Sequence, residues 1–388
     1  MKLRINGIDF VGFTHMEASR SFLNIAGKFS FLTSPKDLAN NGYPIKVQQA
    51  CEVIVEDKIF ITGFIEKINI MQTANDVSIH VAGRDKTADL VDSTVDFDIL
   101  GNGEFTNAIT LKQVCEEVIA NLGITGMKVI DLVNPAIFSS GNYIAPVTGE
   151  GAFDLIEKYA KKRQVLLTTD GLGNVVITQA ISGKSREHTL QTNLINAKNG
   201  KNNNVVHMHS MLNTENEFNL YRGYSQLAAT TINASSNPGG AGSNITPDYL
   251  SHQSGEITND AIRSSRQLVF ITNTPVDTET MKQRCIWEKN YRRAKSQFYN
   301  CAVSAHTYNG IDIWPVNVLT KVFDDVANIT GTTMLIDHVA FTESVEGGKQ
   351  TQLNLVDKLS YSLQTQANYR EALSESLQDA YFTRDTDN

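Results

Sequence analysis

The sequence predicts an α+β protein, predominantly β: two related small β-barrel domains, an α/β domain inserted between them, and a C-terminal helical tail. Three observations carry this expectation. Period-two alternation broken by short turns fills residues 3–83, apolar stripes at helical spacing follow between 110 and 163, and alternating strands return after residue 299. With 388 residues the chain is long enough for more than one core. The boundaries read from these shifts are 1–92 for the first barrel, 93–185 for the α/β domain, 186–362 for the second barrel and 363–388 for the tail.

In the first unit, residues 3–5 and 8–13 flank Asn6-Gly7, a pair that tolerates positive φ and suits a tight hairpin. Strands are expected over 26–32, 47–55, 59–70 and 77–82, with turns at Ser34-Pro35, Asn41-Gly42 and Glu56-Asp57. The stretch 77–92 changes pattern at one residue. Val77, Ile79 and Val81 alternate with Ser78, His80 and Ala82 up to Gly83, where the strand is expected to stop; Arg84, Asp85 and Lys86 then form a polar corner before a short helix. A plain surface corner accounts for this stretch when it is taken alone.

The composition then turns helical. Thr110 and Gln113 have capping-box spacing, and Leu111, Val114, Cys115, Val118 and Leu122 make one stripe ending at Gly123. A second helix over 152–163 turns Ala152, Leu155, Ile156 and Tyr159 inward, and strands at 165–169 and 175–181 flank a glycine-rich turn. Strands at 205–211 and 218–226 precede a flexible insertion around 230–262, whose segment 233–244 is too rich in Gly, Ser and Asn to bury a core. A basic helix over 278–298 follows, with Trp287, Tyr291, Ala294 and Phe298 as its seam and Lys282, Arg284, Lys289, Arg292, Arg293 and Lys295 around it. That surface either faces solvent or meets an anionic neighbour. Strands resume at 299–307, 311–314, 318–323, 334–343 and 351–356, and a polar helix is expected near the end.

Charge and motifs narrow the function. Lys and Arg number 34 against 42 Asp and Glu, a formal charge of −8, which disfavours adhesive nucleic-acid binding. Cys51, Cys115, Cys285 and Cys301 are scattered without zinc-ligand spacing and read as reduced, buried thiols. The N-terminal stretch lacks the apolar run of a signal peptide and no segment reaches membrane-spanning length, so folding in the cytoplasm is expected. Enzyme signatures are weak. Glu116-Glu117 and Asp324-Asp325 are sequence neighbours and point apart, and His207 and His209 share a strand face with no third ligand at metal spacing. The loops at 171–173 and 239–242 lack the lysine of a phosphate cradle. Neither an enzymatic activity nor a cofactor is expected.

Several motifs, in order, resemble one family. They are Gly27-Lys28-Phe29-Ser30-Phe31, Pro44-Ile45, Thr62-Gly63-Phe64-Ile65 and the run from Gly83-Arg84-Asp85-Lys86 to Asp89-Leu90-Val91-Asp92. Gly149-Glu150-Gly151-Ala152-Phe153, the hairpin 170–177, Trp287-Glu288 with Arg292, Gly310 through Trp314 to Asn317, and Leu335-Ile336 complete the set. Together they resemble the Mu-type baseplate hub protein of contractile-tailed bacteriophages. The resemblance implies a homotrimer whose paired barrels form a quasi-sixfold ring joining the sixfold tail tube to the threefold central spike. It implies tail tube protein, spike protein and baseplate wedge proteins as partners, DNA passing through the lumen without specific binding, and no small-molecule substrate. The virion tail baseplate would be its place, after assembly in host cytoplasm. Candidate interaction or structural residues are Arg84, Asp85, Lys86 and Asp92 at the corner, Trp287, Glu288, Arg292 and Arg293 on the basic helix, and Trp314 and Asn317 beyond it. The same hub in a phage-derived bacteriocin or secretion apparatus fits equally; a tail-associated peptidoglycan hydrolase is the alternative from another class.

Overall fold

A computed structural model of the chain describes residues 1–33, 45–74, 77–101, 108–138, 143–180, 192–225, 253–272 and 278–361. The turns at Ser34-Pro35 and Asn41-Gly42, the loop 233–244 and the C-terminal helix expected over 363–388 fall outside those residues. Two compact units are formed: Met1–Met211 with Phe298–Lys358, and Leu212–Gln297 with Leu359–Asn388.

The first unit opens with β1 (Lys2–Ile5) and β2 (Ile8–Phe10), joined by Asn6 and Gly7 at φ 51° and 77°. Successive positive φ values make the turn whose twist matches a two-residue hairpin, as the Asn-Gly pair predicts. Next comes β3 (His15–Ser21), unanticipated because its sequence, HMEASRS, offers only Met16 and Ala18 to the core among polar residues. Strands β4 (Lys28–Thr33), β5 (Ala50–Val55), β6 (Lys58–Gln72) and β7 (Val77–Asp85) follow. Strand β7 does not stop at Gly83. It runs on to Asp85 because Gly83 is a close-approach residue: a Cβ there would lie 2.0 Å from the Phe64 carbonyl oxygen and 2.6 Å from Cζ of Phe29.

Helix α1 (Ala88–Asp92) begins the α/β segment, with α2 (Leu111–Asn121), β8 (Val129–Asp131), α3 (Ala152–Lys162), β9 (Leu166–Thr169) and β10 (Val175–Thr178). The capping box is present: Gln113 N–H donates to Thr110 Oγ1 at 3.1 Å while Thr110 N–H donates to Gln113 Oε1 at 2.9 Å. The inward stripes of α2 and α3 pack on the three-stranded sheet β8-β10-β9, around a core that includes Val118, Leu155, Tyr159, Val175 and Ile177. The buried Tyr159 hydroxyl both donates to the Ile144 carbonyl and accepts its N–H, so the apolar core leaves it satisfied.

Strands β11 (Leu194–Asn196) and β12 (Val205–Leu212) precede the second unit. There β13 (Leu220–Ser225), β14 (Gln253–Thr258) and β15 (Gln267–Thr272) form a sheet in the order β14-β13-β15, and α4 (Thr278–Ser296) packs on it, so the flexible insertion expected around 230–262 is corrected over 253–258, where the chain pairs with β13. Gly223 and Gly255 are register partners under the helix. A Cβ on either would collide, at 2.4 Å from Met281 Sδ or 2.5 Å from the Lys282 nitrogen, so paired glycines seat α4 close to the strands.

The chain then returns to the first unit with β16 (Gln297–Ser304), β17 (Val318–Asp324), β18 (Ile329–Ser344) and β19 (Gly348–Asp357). Residues 311–314, expected as a strand, make only an isolated bridge between Thr307 and Ile313. Early and late strands form one 13-stranded sheet along the path β12-β16-β19-β18-β3-β4-β7-β6-β5-β1-β2, with β17 on β18 and β11 parallel to β17. The link is β3 against β18, antiparallel from His15 opposite Ser344 to Ser21 opposite His338. One core serves both halves, containing Leu3, Phe31, Ile61 and Val81 with Val322, Ile336, Leu353 and Leu355. Phe60 meets Phe341 edge-on at 4.8 Å within it.

Candidate functional site

The polar corner after β7 is a buried joint. Asp85 is 1% exposed and accepts hydrogen bonds from Thr87 N–H (3.0 Å), Thr87 Oγ1 (3.0 Å) and Thr169 Oγ1 (2.9 Å). Thr87 Oγ1 in turn donates to the Ile25 carbonyl at 2.6 Å, and Arg20 donates to the Thr169 carbonyl at 2.6 Å. Burial pushes the Asp85 carboxyl above its ordinary value, and its three donors oppose that rise. The backbone continues the joint: Lys86 N–H donates to the Thr62 carbonyl at 3.0 Å, and Thr62 N–H to the Gly171 carbonyl at 2.7 Å. Gly171, at φ 81°, admits this approach, since a Cβ would lie 2.2 Å from the Phe60 oxygen.

Arg84, on the other face of β7, is bound by Glu66 at 2.7 and 2.8 Å and by Asp92 on α1. The two carboxylates raise its pKa further, and Arg84 holds Asp92 below the usual carboxylate range. Lys86 Nζ donates to the Thr125 carbonyl. All four corner residues therefore bind within the unit, fastening the first strands to the α/β segment.

The basic helix also satisfies much of its charge internally. Arg292 Nε donates to Glu288 Oε1 at 2.7 Å, and Arg284 lies 3.6 Å from the same carboxylate. Arg284 stacks over Trp287 at 4.4 Å, Arg292 over Phe218 at 5.3 Å, and the Lys295 ammonium over Tyr291 at 4.4 Å. Trp287 and Tyr291 are themselves stacked, at 4.8 Å and 12°. Buried on α4 are Met281, Cys285, Trp287, Asn290, Ala294 and Ser296, whereas Tyr291 is half-buried and Phe298 lies on β16, beyond the helix. Arg293 is half-buried on the same helix. The expected seam is thus corrected: the helix also presents a polar Asn290 inward, which hydropathy alone conceals.

Trp314 is a core residue, 3% exposed, with the Tyr308 ring 5.8 Å away. Asn317 takes φ 61°, donates its N–H to the Ile336 carbonyl at 2.8 Å, and reaches the Gln179 carbonyl with Nδ2 at 3.3 Å. It lies beside a cavity shared with Arg20 and Thr169, while Trp314 points into the large sheet's core. Asn317 thus borders the same cavity as Thr169, whose hydroxyl donates to Asp85, a proximity that no local sequence pattern reveals.

The chemistry of these residues is that of fastening. The four cysteines are free and buried, and burial pushes Cys51 and Cys301 up to about 12 and Cys285 to about 11, far from a thiolate nucleophile. His207 and His209 are exposed on β12, and among the described residues no three His, Cys, Asp or Glu side chains converge on a metal position.

Residues 1–85 match the family described as Mu phage baseplate assembly protein GpP-like, N-terminal, and residues 87–179 match baseplate hub protein gp44-like, second domain. The first match ends on Asp85 and the second starts on Thr87, the two residues hydrogen-bonded at the joint. The chain is 24% identical over 359 residues to baseplate hub protein gp44 of Escherichia phage Mu, covering 92% of this chain and 87% of that protein. The 43 kDa tail protein of prophage MuSo2 from Shewanella oneidensis superposes with TM-score 0.73 at 26% identity, over 92% of this chain and 98% of the other. A tail protein from Neisseria meningitidis shares the fold with TM-score 0.73 at 16% identity, over 93% and 97% of the two chains. The chain thus shares its fold with phage tail proteins. Its sequence is similar to that of Mu-type baseplate hub proteins, through two domain matches and one full-length relative.

Proposed function

We propose that this chain is the structural hub of a contractile phage-tail baseplate, a homotrimeric quasi-sixfold ring joining the sixfold tail tube to the threefold central spike around the DNA channel. One observation supports this reading above the rest: β3 and β18 join early and late strands into one sheet on one core. A single chain then presents two consecutive sheet segments, and three copies would present six. In this reading each segment closes as a small barrel, and the α/β domain, fastened through Asp85, holds its place beside the ring. The formal charge of −8 suits a channel through which DNA slides without adhering. The basic helix α4 offers cations to a neighbouring subunit or baseplate component.

Electron microscopy of the purified chain tests the ring. Class averages with a central hole and threefold or pseudo-sixfold symmetry are expected; compact particles with no hole at any concentration would contradict it. Clearing of purified peptidoglycan by the same preparation would favour the hydrolase alternative.

A further inference from the structure

A cavity of about 330 Å³ opens on the first unit between the end of β3, the face of the β8-β10-β9 sheet turned away from α2 and α3, and Val316 and Asn317. Phe22, Ile130, Leu132, Val176 and Val316 supply apolar wall, and Arg20, Thr168, Thr178 and Asn317 supply polar groups. The cavity falls at the lower end of the ~300–1,000 Å³ range of ligand pockets, with room for one residue-sized group.

Arg20 determines what fits. Its guanidinium donates once, from Nη2 to the Thr169 carbonyl, and lies over the Phe60 ring at 5.4 Å. Its Nε is enclosed without a hydrogen-bond partner, so a bound ligand would have to reach the Nη groups. Burial pulls its pKa down, and the charges of Asp85 and Asp170 oppose that fall. Asp170 also lines the cavity, but its oxygens are taken by Leu172 N–H, Asn174 N–H and Asn174 Nδ2 in their own turn. A half-buried guanidinium with Nη N–H groups beyond the one bonded to Thr169 is matched best by a carboxylate. The apolar walls call for that carboxylate to sit next to a hydrocarbon side chain, an arrangement that Asp and Glu side chains lack and a chain terminus has.

We propose that this cavity receives the C-terminal residue of a partner polypeptide ending in an aliphatic side chain, its carboxylate accepting from Arg20 and its side chain lying against Ile130, Val176 and Val316. Leu132, 68% exposed at the rim, would cover the preceding residue. The inference does not depend on ring formation.

The test uses the full chain with labelled Ile, Leu and Val methyl groups, titrated with acetyl-Ala-Ala-Leu, with its C-terminal amide and with isocaproate. Methyl shifts at Ile130, Leu132, Val176 and Val316 with a millimolar Kd are expected for the peptide acid, with the amide about tenfold weaker and isocaproate weaker than the peptide. Leu132→Glu, at an exposed position, should remove the response, and Arg20→Lys should weaken it about tenfold while the core methyl spectrum stays in place. No shifts up to about 20 mM peptide, a millimolar limit on affinity, would overturn the proposal. Equal binding of the amide, or isocaproate binding as tightly as the peptide, would do so too.

Discussion

At the end of β7 Asp85 is held almost wholly out of solvent. Its carboxylate is enclosed by Thr87 and Thr169, residues 84 positions apart in the case of Thr169, so no local pattern could reveal the burial. Asp85→Ala would leave the Thr87 N–H without an acceptor inside the joint, at a cost of about 1–3 kcal/mol, read as a lower denaturant midpoint with an unchanged slope. A pH effect belongs to His306, which is buried, with Nε2 3.0 Å from the Thr342 carbonyl and Nδ1 3.4 Å from Glu56, whose carboxylate also binds Lys349 at 2.6 Å. Burial pulls the His306 pKa down, although Glu343 and Glu56 pull it up. A folded pKa below the unfolded value means the unfolded chain takes the proton first, so stability is present above about pH 6.5 and lost as pH falls. His338, also lowered by burial, acts in the same direction. Comparison with His306→Gln isolates one contribution: the variant should lose less stability than the natural chain between about pH 7 and pH 5.

At the scale of elements, legibility follows locality. The Asn6-Gly7 hairpin, the Thr110 capping box and the inward face of α3 depend on residues within a few positions and were plain in the sequence. Strand β3 was not, because it buries small and flexible side chains, and three-residue β8 is too short to show a period. The corner's identity as a joint and the β3–β18 link depend on partners remote in the chain. Gly83 misled for a related reason. Glycine punctuates turns, but in β7 it marks a place where the Phe64 backbone of β6 and the Phe29 ring of β4 both crowd the strand, beside the irregularity between Ile65 and Lys67. Gly83→Ala should therefore destabilise by about 1–3 kcal/mol through overpacking, despite alanine's better fit to an extended backbone. An unchanged melting curve would mean that the Phe64 backbone and Phe29 ring have space the structure does not show.

At the scale of the whole molecule, the predominance of strands and the intervening α/β segment were legible, whereas the union of early and late strands in one sheet was not. That union gives the hub reading its physical content: a rigid two-segment wall, with β2 and β12 as the ends of its sheet path. In the hub reading, that wall is repeated about a threefold axis to complete the ring. The most direct measurement is therefore the absolute mass of the purified chain by light scattering, across a concentration series and with its spike partner added. The hub reading predicts three copies per particle, against 42.8 kDa for one chain. A single-chain mass under all of these conditions would contradict it.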